Sequence, residues 1–442
     1  MSLDPTTFKT IVPSRFITFT IPNPLLHLHH FNSPQLRIAI LDSPIPSDQP
    51  IQIAAMLVPI NRESDWNFNT KQGHLQLILN FPHLSRLILI GDSPNSEHPT
   101  SYNSNGVVDS SVVEENLKPF LIEAFCRTGG GRPEIPFLVY EDEVVRSLVL
   151  DRCVGPFVGE IMIEDVELEM ENGGREFRRR LRFKRMPNLV QTQIKIRPKK
   201  AGFLEFEIVD DGVLVHPYLN PMVAGLSVIG PYLDAKIGNG IKPKALCLGV
   251  GGGALLGFLS SQLGFQILGI EADNVVLQVA TRYFGLAYSN SMRLRIGDAL
   301  EMVQKFATQV ENGEDLDNFD GKFDVIMVDL DSSDANIGMS APPIKFVDKS
   351  VLLATRKLLD TNGVVIINVI PSDQASYKMV ITEFQEVFAE LYEIDIGNQE
   401  NFVLIASASE IGNVECHHQS KFLKKLEQVS GSYVDSIQKL DS

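Results

Sequence analysis

The chain has 442 residues, 44% hydrophobic and 21% charged, enough apolar material to bury a sizeable core over two or three domains. Its formal net charge of −16 disfavours a nucleic-acid backbone as main partner, because phosphate binding needs clustered Lys and Arg. The four cysteines are scattered and form no CxxC pair, so neither a zinc site nor a disulfide framework is indicated, and no apolar run approaches the ~18 residues of a membrane helix.

Sparse cysteines fit a reducing compartment, and no basic segment followed by an apolar core opens the chain, so a cytoplasmic location is expected. Residues 1–132 read as an α/β region of unassigned role. Strands are expected at Arg37–Leu41, Ile51–Pro59 and Leu87–Ile90, with helices at Thr70–Leu79 and Val113–Arg127 and an exposed loop between Gly91 and Ser111. Trp66, the only tryptophan, reads as a packing anchor of this region.

Residues 133–215 turn to β and read as a small antiparallel domain. Its strands are expected at Phe137–Tyr140, Gly159–Asp165, Phe177–Phe183, Val190–Ile196 and Gly202–Val209, with Gly173-Gly174 as a hairpin turn. The basic stretch Arg175 to Lys200 reads as a solvated strand pair. A helix from His216 to Tyr232 then leads into residues 216–409.

There strand and helix alternate, as in a parallel sheet with crossover helices. The strands are expected at Ala245–Val250, Gln266–Glu271, Met292–Ile296, Phe323–Asp329 and Val364–Val369. Their near-continuous apolar runs suit burial on both faces. Tyr392–Ile396 and Asn401–Ala406 make a terminal hairpin about Gly397-Asn398. Five parallel strands, a helix and a hairpin give the seven-stranded, Rossmann-like order of class I methyltransferases. Residues 410–442 read as a polar tail with a helix at Phe422–Val429, and Cys416-His417-His418 within it has no nearby partner ligands.

The chemistry is expected at the strand tips. Leu248-Gly-Val-Gly-Gly-Gly253 follows the first strand and opens a helix. Gly249, Gly251 and Gly253 allow a tight turn and close approach of backbone to a ligand. Gly249, Gly251 and Ala254 also fit the G-x-G-x-x-G/A of a dinucleotide site, so this motif alone does not choose the cofactor. Glu271 ends the second strand, where an acid takes both ribose hydroxyls of either cofactor class. Asp298 and Ala299 end the third. An acid there accepts from an adenine amino group, and the next N–H meets a ring nitrogen, which favours S-adenosylmethionine over NAD; an ordinary helix N-cap is the alternative.

After the fourth strand come Asp329, Asp331 and Asp334. Like charges packed at a sheet's carboxyl edge call for a cationic occupant, and the methyl donor is a sulfonium. Methyl transfer needs alignment and a neutral nucleophile. Asp331 is the expected acceptor-side group and Asp329 the one beside the donor; either can orient an amine and receive its proton.

These residues resemble the spermidine synthase branch of the methyltransferase fold, through Gln191 in a strand of the β domain and Asp331-Ser-Ser-Asp334. The resemblance implies Gln191 as a further cofactor residue. Tyr218-Leu-Asn-Pro-Met222 replaces the branch's Tyr-His-Glu, and Ala335 replaces a Pro; both departures weigh against polyamine synthesis. A closer resemblance is to the methyltransferase-like 13 family of eEF1A lysine and N-terminal methyltransferases, in its C-terminal half. It rests on Val58-Pro-Ile-Asn-Arg-Glu-Ser-Asp-Trp66, Asn188-Leu-Val-Gln191, Met222-Val-Ala-Gly-Leu226, Val279-Ala-Thr-Arg-Tyr-Phe-Gly285 and Gly338-Met-Ser-Ala-Pro-Pro343. It implies S-adenosylmethionine-dependent methylation of a protein's N-terminal amine, with elongation factor 1-alpha as partner. Residues 1–117 hold no glycine-rich strand–turn–helix motif, so the lysine activity is not implied. The segment Asn336–Phe346 is expected as a lid or acceptor groove. The rival readings are an aminopropyl or small-amine transferase, a catalytically silent scaffold, and an NAD-dependent dehydrogenase, for which no catalytic His or Tyr-x-x-x-Lys sits at the tips.

Overall fold

The computed structural model describes residues 8, 10–24, 34–45, 51–59, 62–92, 102–103, 110–125, 135–140, 142–199, 205–209, 212–316, 319, 322–332, 339–397, 401–411 and 421–440. The chain divides into two compact units, residues 1–153 with 159–191, and residues 154–158 with 192–442.

The first elements along the chain are β1 (Phe16–Pro22), β2 (Gln35–Asp42), β3 (Ile53–Leu57), α1 (Trp66–Asn69), α2 (Lys71–Leu79) and β4 (Arg86–Asp92). Next come β5 (Tyr102–Asn103), α3 (Ser110–Phe125), β6 (Phe137–Leu138), β7 (Val144–Gly155), β8 (Gly159–Glu169), β9 (Arg175–Phe183) and β10 (Met186–Pro198). One sheet of the first unit runs β1-β2-β4-β3-β6. Phe137-Leu138, expected in the small β domain, pairs instead in parallel with β3. Strands β1 and β7 were not expected: β1 does alternate, over Ile17-Thr-Phe-Thr-Ile21, and was missed, while β7 mixes buried and exposed residues without a period of two. Trp66 is 2% exposed, as a packing anchor should be.

The basic stretch is neutralised more than solvated. The register of β8 with β9 sets Glu164 opposite Arg180 and Asp165 opposite Arg179. Arg179 Nε donates to Asp165 Oδ1 at 2.7 Å, and Arg182 pairs with Glu164 at 2.8 Å, all but Arg179 nearly buried. Opposite charges directly across an antiparallel ladder stabilise the pairing.

The second unit adds β11 (Phe206–Ile208), α4 (Leu219–Ala224), α5 (Gly230–Gly238), β12 (Lys244–Leu248), α6 (Ala254–Ser261), β13 (Gln266–Glu271), α7 (Asn274–Tyr283), β14 (Met292–Ile296) and α8 (Ala299–Glu311). It continues with β15 (Phe323–Val328), β16 (Met339–Ala341), α9 (Lys349–Leu358), β17 (Leu359–Pro371), α10 (Gln374–Val387), β18 (Glu390–Asp395), β19 (Phe402–Ser407), α11 (Lys421–Ser430) and β20 (Gln438–Leu440). The expected single helix from His216 to Tyr232 is broken: α4 passes into a 3-10 segment, Gly225–Ile229, before α5. A Cβ on Gly225 would lie 2.9 Å from Ile405, so the chain must thread tightly against the sheet there.

The sheet order is β14-β13-β12-β15-β17-β19-β18-β20, with β16 beside β17. The first five strands run parallel, and β19 is antiparallel to both neighbours. Numbered within the unit this is 3-2-1-4-5-7-6, the class I methyltransferase arrangement, with one strand added at the edge. Alternate strand residues enter two cores: Leu246, Leu248, Ile326 and Val328 face α8, α9 and α10, while Ala245, Cys247, Val325 and Met327 face the other helices. The stretch read as a polar tail contributes to this body. Phe422 and Leu426 of α11 are buried, and β20 pairs with β18. Its Cys416-His417-His418 lies outside the described residues.

Candidate active site

The strand order reverses between β12 and β15, each leaving the sheet from its carboxyl end. Open parallel sheets bind ligands in the crevice at such a switch point. Backbone hydrogen bonds hold the tips in register. Asp329 N–H donates to Leu248 O at 2.9 Å, Gly249 N–H to Ile270 O at 3.0 Å, and Gly297 N–H to Glu271 O at 2.9 Å.

The glycine turn follows β12. Gly249, Gly251 and Gly253 have φ of 86°, 52° and 82°, a region that only glycine enters without strain. A Cβ on Gly249 would stand 2.0 Å from Asp329 O, so glycine is also what lets these two tips touch. Thr192 supports the turn from below: its Oγ1 accepts from Gly252 N–H at 2.9 Å.

Glu271 turns its carboxylate onto that turn. Its Oε2 accepts from Val250 N–H at 3.1 Å and Gly251 N–H at 3.3 Å, and its Oε1 from Asp273 N–H at 3.1 Å. Burial pushes the carboxyl above its ordinary pKa, while these three donors pull it back. Asp298 is exposed and caps α8, its Oδ1 accepting from Leu300 N–H at 2.9 Å and Glu301 N–H at 3.0 Å. The N-cap alternative therefore describes what Asp298 Oδ1 does here. Ala299, the first residue of α8, is 6% exposed.

Asp329 is held by neutral groups. Tyr218 Oη donates to Oδ2 at 2.9 Å, and Asn368 Nδ2 to Oδ1 at 3.4 Å; Asn401 Nδ2 in turn donates to Asn368 Oδ1 at 3.3 Å. Desolvation raises its pKa to about 6, against the lowering effect of the Tyr218 and Asn368 bonds. Asp331 stands close enough that its charge raises Tyr218, Glu271 and Asp329 alike. The structure thus brings Gly249, Gly251, Glu271, Asp329 and Asp331 to one crevice.

Two expectations change. Asp334 lies outside the described residues, as do Asn336 to Gly338. The described part of the expected lid is no free loop: β16 pairs with the end of β17, Ser332 N–H donates to Ser340 O at 2.8 Å, and Met339 and Phe346 are fully buried. Gln191 ends the first unit, and its buried Nε2 has no hydrogen-bond partner among the described residues. Sequence reasoning missed Tyr218, Asn368 and Thr192 as site partners. The signal for Asn368 was present, an amide inside the apolar run Val364–Val369 and only 3% exposed.

The donor set fits S-adenosylmethionine. Glu271 offers a carboxylate where ribose hydroxyls would replace backbone N–H groups, the glycine cradle admits no Cβ, and the acids of the crevice suit a sulfonium. Among the described residues no His/Cys/Asp/Glu group has the arrangement of a metal site.

Strand order and tip residues define the class I methyltransferase fold. No family model matches the chain. It is similar to the eEF1A lysine and N-terminal methyltransferases: 29% identical to that of Danio rerio over 411 residues, 87% of this chain, and 27% identical to that of Homo sapiens over 400 residues, 84% of this chain. The chain spans about half the length of these relatives, 56% and 53%. A crystal structure of human methyltransferase-like protein 13 with S-adenosylhomocysteine is 28% identical and covers 51% of this chain and 96% of its own, with a TM-score of 0.41.

Proposed function

We propose that this chain is an S-adenosylmethionine-dependent protein methyltransferase whose acceptor is an N-terminal α-amine, that of elongation factor 1-alpha by its relatives' name. The observation that carries the reading is the convergence of Glu271 and Asp329 on one glycine turn at the switch point. Gly249, Gly251 and Gly253 would admit the donor against bare backbone. Glu271 would take its ribose, Asp298 and Ala299 its adenine, and Gln191 would serve as a further cofactor residue.

S-adenosylmethionine supplies a methyl group on a cationic sulfur. The acceptor nitrogen must arrive neutral, in line with the carbon–sulfur bond. An α-amine, with a pKa of about 7.7–8.0, is far nearer that state at neutrality than a lysine at about 10.4. Asp331 would orient it by hydrogen bonding. As the nitrogen–carbon bond formed, the carbon–sulfur bond would break with its electron pair leaving on the sulfur as S-adenosylhomocysteine, and Asp331 or Asp329 would take the proton of the nitrogen that had become cationic. A carboxyl raised to about 6 binds a proton more readily than an ordinary one. We propose the cytoplasm as the place of this reaction, in keeping with the sparse, scattered cysteines.

The test is transfer of labelled methyl from S-adenosylmethionine to cell extract and to purified elongation factor 1-alpha, with the label mapped by peptide mass. Wild type should label the N-terminal peptide, and Asp331→Ala should lose at least about a hundredfold in rate, within the range of positioning and acid–base effects. Label on polyamines but not protein would favour the small-amine reading. No binding of S-adenosylmethionine would favour the silent scaffold.

A further inference from the structure

Asp273 is fully buried, and its carboxylate does more than cap a helix. Its Oδ1 accepts from Val275 N–H at 2.9 Å, the ordinary capping bond of α7. Its Oδ2 accepts from Phe157 N–H at 2.9 Å and Val158 N–H at 3.1 Å, more than a hundred residues away in sequence. A Cβ on Gly155 would fall 2.3 Å from that oxygen, so the turn 154–158 lies directly on the carboxylate. Through its own N–H, Asp273 also bonds Glu271 Oε1 at 3.1 Å. A continuous chain of bonds therefore runs from the turn, through Asp273 and Glu271, to the glycine turn. The turn presents two large apolar side chains outward: Phe157 is 71% exposed and Val154 68%.

Phe157 is anchored through its backbone N–H, and its ring, with the side chain of Val154, is left as apolar surface that a flat ligand can cover. We infer that the turn 154–158 is a wall of the nucleoside site, with Phe157 as the surface on which the purine lies and Asp273 as the positioning residue that holds the turn against Glu271. The inference rests on the reading of the crevice as an S-adenosylmethionine site. The purine is the favoured occupant because the turn is bonded, through a single residue, to the acid that would hold the adjoining ribose. A base lying on an aromatic ring gains dispersion and stacking at little entropic cost.

The test measures binding of S-adenosylhomocysteine and of adenosine by calorimetry to the full chain, Phe157→Ala and Asp273→Asn. Phe157 is exposed, so its truncation leaves the fold in place. Phe157→Ala should weaken both ligands on the order of tenfold, as base–aromatic stacking elsewhere does. Asp273→Asn keeps an oxygen for Val275 N–H but turns an amide toward the two turn N–H groups. It should weaken both ligands in the wild-type background and have no further effect beside Glu271→Gln, a coupling that general destabilisation would not give. Affinities of Phe157→Ala within twofold of wild type would overturn the wall, as would a change confined to the KM of the protein acceptor. Failure of the wild-type chain to bind S-adenosylhomocysteine would instead remove the reading beneath it.

Discussion

Tyr218 Oη stands 2.9 Å from Asp329 Oδ2, so a hydroxyl from the start of α4 closes on an acid at the tip of β15. That bond lowers a carboxyl that desolvation raises, and the balance leaves it at about 6. Tyr218→Phe removes the donor and keeps the ring. Asp329 should then titrate higher, and the acid limb of the pH–rate profile should move up by about one unit. A profile that falls in height without moving along the pH axis would show that Tyr218 only packs there.

Asp329 also bears on stability, with a definite sign. Its ordinary value is 3.8 and its folded value about 6. Between those values the unfolded chain has released the proton that the folded chain keeps, so stability falls as pH rises through this window and stays lower above it. A neutral amide at this position has no charge to desolvate. Asp329→Asn should therefore be inactive yet more stable above pH 6, by about 1–2 kcal/mol once partial exposure is allowed for, with the advantage gone near pH 4. Denaturant titrations at the two pH values decide it.

The tip residues were readable because each chemical element falls at a fixed place, the end of an apolar strand. Gln266–Glu271 could be bounded because a strand buried on both faces reads as a largely apolar run, and Met292–Ile296 because Met, Leu and Ile alternate there with two arginines, as at the edge of the sheet. The partners of those tips were not readable. Tyr218 reaches Asp329 across 111 positions and Phe157 reaches Asp273 across 116, and periodicity carries no information over such spans. The β20 strand escaped for a different reason. Its Gln438-Lys439-Leu440 is short and mostly polar because it lies at a sheet edge, where Lys439 pairs with Glu390 and Leu440 alone turns to the core.

Gly249 tests whether the glycine turn matters for shape or merely for flexibility. Its φ of 86° strains any other residue, and an added Cβ would stand 2.0 Å from Asp329 O. Gly249→Ala must push β12 and β15 apart at their carboxyl ends. Binding of S-adenosylhomocysteine should fall at least about a hundredfold, while strain of roughly 1–3 kcal/mol lowers stability. Gly257→Ala serves as the control, because a Cβ there meets nothing within 4 Å. Equal affinities in the two variants would mean that the turn tolerates a side chain and does not cradle a ligand.

The far end of β15 supplies the contrasting case. Asp324 is fully buried at the amino end of the strand that leads to Asp329. Its Oδ1 accepts from Tyr232 Oη and from Lys236 Nζ, each at 2.5 Å, and its Oδ2 from Lys244 N–H at 2.8 Å. It ties α5 and the start of β12 to the sheet, with no contact to the crevice. Asp324→Ala leaves a backbone N–H unpaired, takes one acceptor from Tyr232 and leaves a partly exposed ammonium without its partner. The loss should be about 2–4 kcal/mol, below the full range for a buried pair because Lys236 retains some water. Below its lowered melting point the variant should bind S-adenosylhomocysteine as wild type does and keep the same pH profile. Weaker binding at a temperature where the variant is fully folded would mean that strain travels the length of β15, and that the two ends of the strand are not independent.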